Sequence, residues 1–308
     1  MLIALFFFQI VNAAECVLAK EEILNSKIYC TATIDDDFSD DSVIVVINRE
    51  NSKSNRDFKT SDFKQVEVTS IKNLAKNADV YASGTPKVSA CSENNLTLTN
   101  SENFRQIIII EIEKKGKENV LQTIKEIEKL DFVESAEPNY FFYPDDINLE
   151  EPDYRETSFE ENEEPQALIP NDTSFQSQYA LSKINIPNAW EITTGSTAVR
   201  VGIIDSGISN HPDLAGNLVS GWDFYNDNGN TADDPTGHGT HVAGIIGAEG
   251  NNNAGISGVN WQVSLVPLQV VIDNGSANNS LFSGSAIIEA IDYARINNIP
   301  IINCSFGS

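Results

Sequence analysis

Cationic side chains are scarce in this chain: 20 lysines and arginines stand against 45 aspartates and glutamates, for a formal net charge of −25. Such a surface repels nucleic-acid phosphates and anionic lipid headgroups, so neither is expected as a partner, whereas solubility and cation binding are favoured. Cysteine is sparse too. Cys16, Cys30, Cys91 and Cys304 form no Cys-x-x-Cys pair, and four cysteines allow three complete pairings among which the sequence does not choose. Cys304, in an apolar run, is expected as a buried small hydrophobe. Long apolar stretches are missing as well. Leu2 to Val11 is too short to span a bilayer as a helix. It leads into Asn12-Ala13-Ala14, whose small residues suit signal-peptidase cleavage, so residues 1–14 are expected to be the signal peptide of an exported protein, although the usual positive start is absent.

Only three histidines are present, and one of them carries chemistry. Val199 to Ile204 is a β-rich run ending in Asp205, and His238 opens a Gly-, Ala- and Val-rich segment suited to a helix pressed against a sheet. In open α/β sheets, sites form at the carboxyl ends of strands. A carboxylate there can accept the Nδ1 proton of an imidazole and leave Nε2 to take a proton from a nucleophile. Singly, Asp205 would read as a turn cap and His238 as a satisfied core histidine; the two contexts together point to a pair. His241 lies three residues from His238 with no intervening glutamate, which does not match the His-Glu-x-x-His zinc spacing. It is expected to pack on its helix, and His211, before Pro212, to serve a surface or packing role.

Asp205-Ser206-Gly207, His211-Pro212-Asp213-Leu214 and Gly237-His238-Gly239-Thr240-His241-Val242-Ala243-Gly244 resemble the first active-site blocks of the subtilisin-like serine proteases. Ile301-Ile302-Asn303-Cys304-Ser305-Phe306-Gly307 resembles that family's substrate strand. Asn171-Asp172 and Gly221-Trp222-Asp223-Phe224 bring the likeness closer to the thermitase-type branch. The resemblance covers roughly residues 171–308 and implies Asp205 as orienting partner, His238 as general base, and Ser305, Phe306 and Gly307 as the edge along which an extended polypeptide substrate lies. The family's oxyanion asparagine and Gly-Thr-Ser nucleophile block come later than Ser308, and neither Ser305 nor Ser308 sits in a nucleophile-like turn. The chain is therefore expected to be inactive alone.

The segment Glu249 to Gly258 is Asn- and Gly-rich, as suits a loop that aims oxygens at a hard cation. It resembles the family's strong calcium loop. The resemblance implies Asp172, Asp213, Asn252 and the carbonyls of Glu249, Ala254 and Ile256 as ligands; the metal-free alternative is an ordinary turn. A second site drawing on Asp223, Asp227 and Asp233 or Asp234 is a further expectation.

Ahead of this region, Ser42 to Asn48 and Gln106 to Ile112 read as strands, with Lys64 to Val68 as another candidate. Lys87 to Asn103 reads as a loop. Glu118 to Leu130 has the period of an amphipathic helix burying Val120, Leu121, Ile124, Ile127 and Leu130, and Phe132 to Ala136 begins a further strand. A unit of this kind before a subtilisin-like domain resembles the family's inhibitory propeptide, and the alternative is an unrelated small binding domain. Asp145 to Glu164 carries ten acidic residues against the single Arg155, the composition of a solvated linker open to cleavage. The expected organisation is a signal peptide (1–14), an α+β propeptide region (15–142), an acidic linker with the maturation site (143–170), and an incomplete α/β, parallel-sheet peptidase domain (171–308). The function implied is that of an exported serine endopeptidase zymogen inhibited by its own propeptide. The competing class is a non-catalytic interaction or inhibitor protein on the same scaffold.

Overall fold

The computed structural model describes residues 30–48, 58–74, 105–144, 167–272 and 281–307. The expected signal peptide, the loop at 87–103, the acidic stretch at 145–164, Cys16 and Cys91 lie outside the described residues. Strands β1 (Phe38–Asn48), β2 (Val68–Asn73), β3 (Arg105–Ile112) and β4 (Val133–Pro144) form an antiparallel sheet crossed by helix α1 (Lys117–Ile127). Alternation decides its faces: Val43, Val45 and Ile47 of β1 and Ile108 and Ile110 of β3 are fully buried, and α1 sets Val120, Ile124 and Ile127 against them. Burying a side chain of this size contributes about 1.5–3 kcal/mol.

Two expectations change here. Residues 64–66 form a turn, with Val66 N donating to Phe63 O at 3.1 Å, and the strand begins at Val68. Fully buried Phe63 holds that turn beneath the sheet. Helix α1 ends at Ile127, because Leu130 N turns back to Ile127 O at 3.0 Å; Leu121 and Leu130 are only half-buried.

Two short helices, α2 (Tyr179–Lys183) and α3 (Ile186–Trp190), lead into β5 (Gly195–Asp205). Strand β6 (Trp222–Asp223), helix α4 (His238–Gly247) and strand β7 (Gln262–Gln269) follow. Then come β8 (Val271–Ile272), β9 (Leu281–Ser283), helix α5 (Gly284–Ile296), β10 (Ile301–Cys304) and β11 (Phe306–Gly307). Strands β10, β5, β7 and β6 lie side by side in that order, all parallel. Successive residues of β5 and β7 face opposite ways. Val201, Ile203, Val263 and Leu265 pack with α4, while Ile204, Val266 and Leu268 pack with α5. Near-continuous apolar runs are what a strand covered on both faces requires.

Strand β4 ties the two parts together. Beyond its pairing with β1 it meets β9 antiparallel, Phe141 opposite Ser283 and Phe142 opposite Phe282, and its last residues meet β11.

Candidate active site

Asp205 ends β5 with no solvent exposure, and His238 is the first residue of α4, 7% exposed. Their side chains meet, His238 Nδ1 lying 2.7 Å from Asp205 Oδ1. A carboxylate accepts, so the ring proton sits on Nδ1. The same oxygen accepts from Ser206 N at 2.7 Å, while Asp205 Oδ2 has no hydrogen-bond partner among the described residues. Two glycines allow this approach. Gly237 takes φ 74° where the chain enters α4. At Gly239 a Cβ would lie 2.2 Å from Gly207 O, so any side chain there would push the helix off the end of β5.

On the neighbouring strand, Ser305 Oγ accepts from Asn303 Nδ2 at 2.9 Å. Phe306 and Gly307 form β11, paired antiparallel with Pro144 and Tyr143 of β4. The edge expected to take substrate thus carries the chain's own strand. Phe142 packs edge-on to Phe306 with ring centroids 6.0 Å apart, and Phe282, opposite Phe142 on β9, does the same at 5.5 Å. Cys304 is half-buried and not enclosed as expected; burial, then the nearby Asp205 charge, pushes its thiol up to about 12.

Of the expected calcium residues, Asp172 and Asp213 both contact the loop at 249–258. Asp172 and Asp213 are each 5% exposed. Asp172 accepts from Asn251 N and Asn252 N at 2.8 and 2.9 Å and from Ser257 Oγ. Asp213 accepts from Asn252 Nδ2 at 2.8 Å and Ile256 N at 2.9 Å. Among the described residues neither carboxylate ion-pairs with a lysine or arginine. Two buried carboxylates without a cationic side-chain partner suit a hard dication, although the loop groups that face them in this structure are N–H donors and not oxygens. Asn252 Oδ1 accepts from Ala254 N at 2.8 Å, and one Glu249 carboxylate oxygen accepts from Gly216 N at 2.5 Å. No group of three or more His, Cys, Asp or Glu side chains suited to a metal occurs among the described residues.

The second cation site is not assembled as expected. A cavity of about 390 Å³ is lined by Asp223, Asp233 and Gln269 among others, but Asp227 is not part of it. Asp223 is engaged by Tyr225 N and Asn226 N, both at 3.0 Å. Asp234 turns instead toward α4, accepting from Thr240 N at 2.8 Å. His241 is exposed on α4; His211 is exposed too, and its Nδ1 accepts from Asp213 N at 3.2 Å. Sequence reasoning missed the part Asp234 plays. Its place four residues before His238 was the one available signal.

Residues 196–308 match the model of the subtilase family, Peptidase_S8. Thermitase from Thermoactinomyces vulgaris is 43% identical over 140 residues, 45% of this chain and 48% of thermitase. A thermophilic serine proteinase from Bacillus sp. (strain AK1) is 35% identical over 191 residues, 61% of this chain and 41% of that protein. The chain thus spans less than half the length of these relatives. The crystal structure of fervidolysin from Fervidobacterium pennivorans, a keratinolytic enzyme related to subtilisin, superposes with a TM-score of 0.59 at 18% identity, over 91% of this chain and 37% of fervidolysin. That likeness speaks for the fold alone. Residues 196–308 thus match the subtilase family, and over that part the chain is similar to proteases of the thermitase type.

Proposed function

We propose that the whole protein is a serine endopeptidase acting on extended polypeptides, with His238 as general base and Asp205 as its orienting partner. The observation that carries this reading is the 2.7 Å contact between Nδ1 and Oδ1 at the carboxyl end of β5. With Nδ1–H given to the carboxylate, Nε2 is the basic nitrogen. It takes the proton of an attacking serine hydroxyl as that oxygen bonds to the scissile carbonyl carbon, and returns it to the amine as the C–N bond breaks. Asp205 stabilises the imidazolium formed between those steps. The serine and the oxyanion amide belong to blocks that the family resemblance puts after residue 308.

The protein is further proposed to be an exported precursor, with residues 15–142 as inhibitor and the cut falling within 143–170. Supporting this, the end of β4 pairs with Phe306 and Gly307 on one side and β9 on the other, as a substrate added to a sheet edge would. Lys72 of β2 also reaches Glu289 of α5 at 2.7 Å. A segment so held denies the edge to substrate until it is cut. Export rests on residues 1–14; no helix among the described residues is long and apolar enough to cross a membrane.

Calcium is proposed as a structural ion held by Asp172, Asp213, Asn252 and the carbonyls of Glu249, Ala254 and Ile256. When bound it would neutralise the two buried carboxylates and pin residue 172 to the loop.

The test is hydrolysis of an unfolded protein substrate by the full-length protein and its His238→Ala variant. Loss of both hydrolysis and precursor processing in the variant is expected. Undiminished hydrolysis would remove His238 from the mechanism. Peptide binding without any hydrolysis by the wild type would favour the non-catalytic interaction protein.

A further inference from the structure

We propose that Asp234 is a positioning residue for the Asp205–His238 pair, locking the start of helix α4 to the end of strand β5 and keeping a competing hydroxyl away from Asp205. The proposal rests on reading that pair as the acid–base machinery. Asp234 lies in the loop before α4, and its two carboxylate oxygens accept four hydrogen bonds. Oδ1 takes Ser206 Oγ at 2.7 Å and Gly237 N at 3.0 Å; Thr236 Oγ1 lies 3.3 Å away but gives its one proton to the closer Ser206 Oγ. Oδ2 takes Thr240 N at 2.8 Å and Thr240 Oγ1 at 2.6 Å. The residues it grips flank His238 on both sides, and through Ser206 it grips the residue that follows Asp205.

Ser206 is fully buried, and its hydroxyl is where the two elements join. It has a single proton and two acidic neighbours: Asp234 Oδ1 at 2.7 Å and Asp205 Oδ1 at 3.1 Å. The shorter contact wins the proton. The oxygen's lone pairs then accept from Thr236 Oγ1 at 2.8 Å and from Gly239 N, in the first turn of α4, at 3.0 Å. Asp205 Oδ1 is left to Ser206 N and His238 Nδ1. Without the Asp234 charge, the Ser206 hydroxyl would turn to Asp205 and add a third donor to the oxygen that holds the imidazole, weakening the bond that orients the ring.

An amide cannot substitute. Gly237 N–H and Thr240 N–H face different oxygens of Asp234, so whichever way an asparagine turns, its NH₂ meets a main-chain donor. Asp234→Asn is therefore disruptive despite its equal size.

Two measurements test this. In the 308-residue chain, the Nδ1–H proton resonance of His238 should move upfield in Asp234→Asn and move back when Ser206→Ala is added, because the competing hydroxyl is then gone. A purely structural role for Asp234 would not produce that recovery. In the full-length protein, Asp234→Asn should lower kcat by about 10²-fold, the scale of a misplaced catalytic group, with little change in KM. If Asp234→Asn does not fold, Ser206→Ala alone carries the test: it cuts the bridge while sparing the bonds from Asp234 to α4, and should lower kcat without raising KM. An unmoved resonance with unchanged kcat overturns the proposal, as does a kcat loss that only follows the unfolded fraction. Failure of the acid–base reading itself would show separately, as hydrolysis surviving His238→Ala.

Discussion

Asn139 Oδ1 accepts the main-chain N–H of Ser285 at 2.9 Å, so a residue of β4 caps helix α5 from 146 positions away in the chain. The helix supplies no side-chain cap from its own Ser283. Asn139 is buried, and its Nδ2 is steadied by Ser42 Oγ at 3.3 Å. The first turn of a helix leaves main-chain donors unsatisfied, and a side-chain oxygen that meets one contributes about 1 kcal/mol. Asn139→Ala should lower the stability of the chain by about that amount and speed hydrogen exchange at Ser285, with little effect at the amides of α4. Unchanged exchange at Ser285 would show that the contact stabilises nothing.

Asp205→Asn should leave the melting temperature close to that of the wild type while favouring the wrong imidazole tautomer. In the full-length protein, kcat should fall by about 10⁴-fold with KM nearly unchanged. His241→Ala is the control. Being exposed, it should change neither activity nor melting.

Chelation should lower the melting temperature by linkage if calcium binds the folded protein alone. Asp213→Ala should remove most of that sensitivity, because Asp213 contacts both Asn252 and Ile256 of the loop. Titration calorimetry with calcium provides the direct check, and absence of both heat and chelator effect would dispose of the site.

Half-buried Glu137 has its carboxyl raised above the ordinary 4.5 by burial and then by the neighbouring Glu128 charge. A folded-state value above the unfolded one contributes stability that is full below the unfolded value and is lost as pH rises through the folded one. Glu137→Gln should therefore stabilise the chain relative to wild type near pH 7, with the difference shrinking as pH falls toward 4. Melting curves across that range check the sign. A Glu137→Gln benefit that grows on acidification would contradict it.

A tetrapeptide Phe-Phe-Tyr-Pro, the sequence of residues 141–144, should compete with substrate in the full-length protein after removal of the N-terminal unit. Replacing its second phenylalanine by alanine should weaken competition, because Phe142 is the residue packed on Phe306. Equal inhibition by both peptides would show that this packing adds no affinity.

Local sequence was enough for elements whose own pattern specifies them. Val201, Ile203 and Ile204 mark a strand buried on both faces, the small residues after His238 mark a closely packed helix, and Val120, Ile124 and Ile127 mark the inward stripe of α1. Asp205 at the end of the strand and His238 at the start of the helix were legible for the same reason, and the motifs around them named the family. Other features depend on partners far away in the chain, and no local pattern encodes those. Val68, not Lys64, begins β2, because the turn held by Phe63 takes up the residues between. Asp233 and Asp234 are adjacent and chemically identical, and only the closeness of Ser206 and Thr240 decides that the second grips α4. The course of β4 is the clearest case. Its sequence reads as a strand, but that it leaves β1 to lie between β9 and β11 follows from main-chain pairing, which is indifferent to side-chain identity and is decided by which edges the folded chain brings within reach.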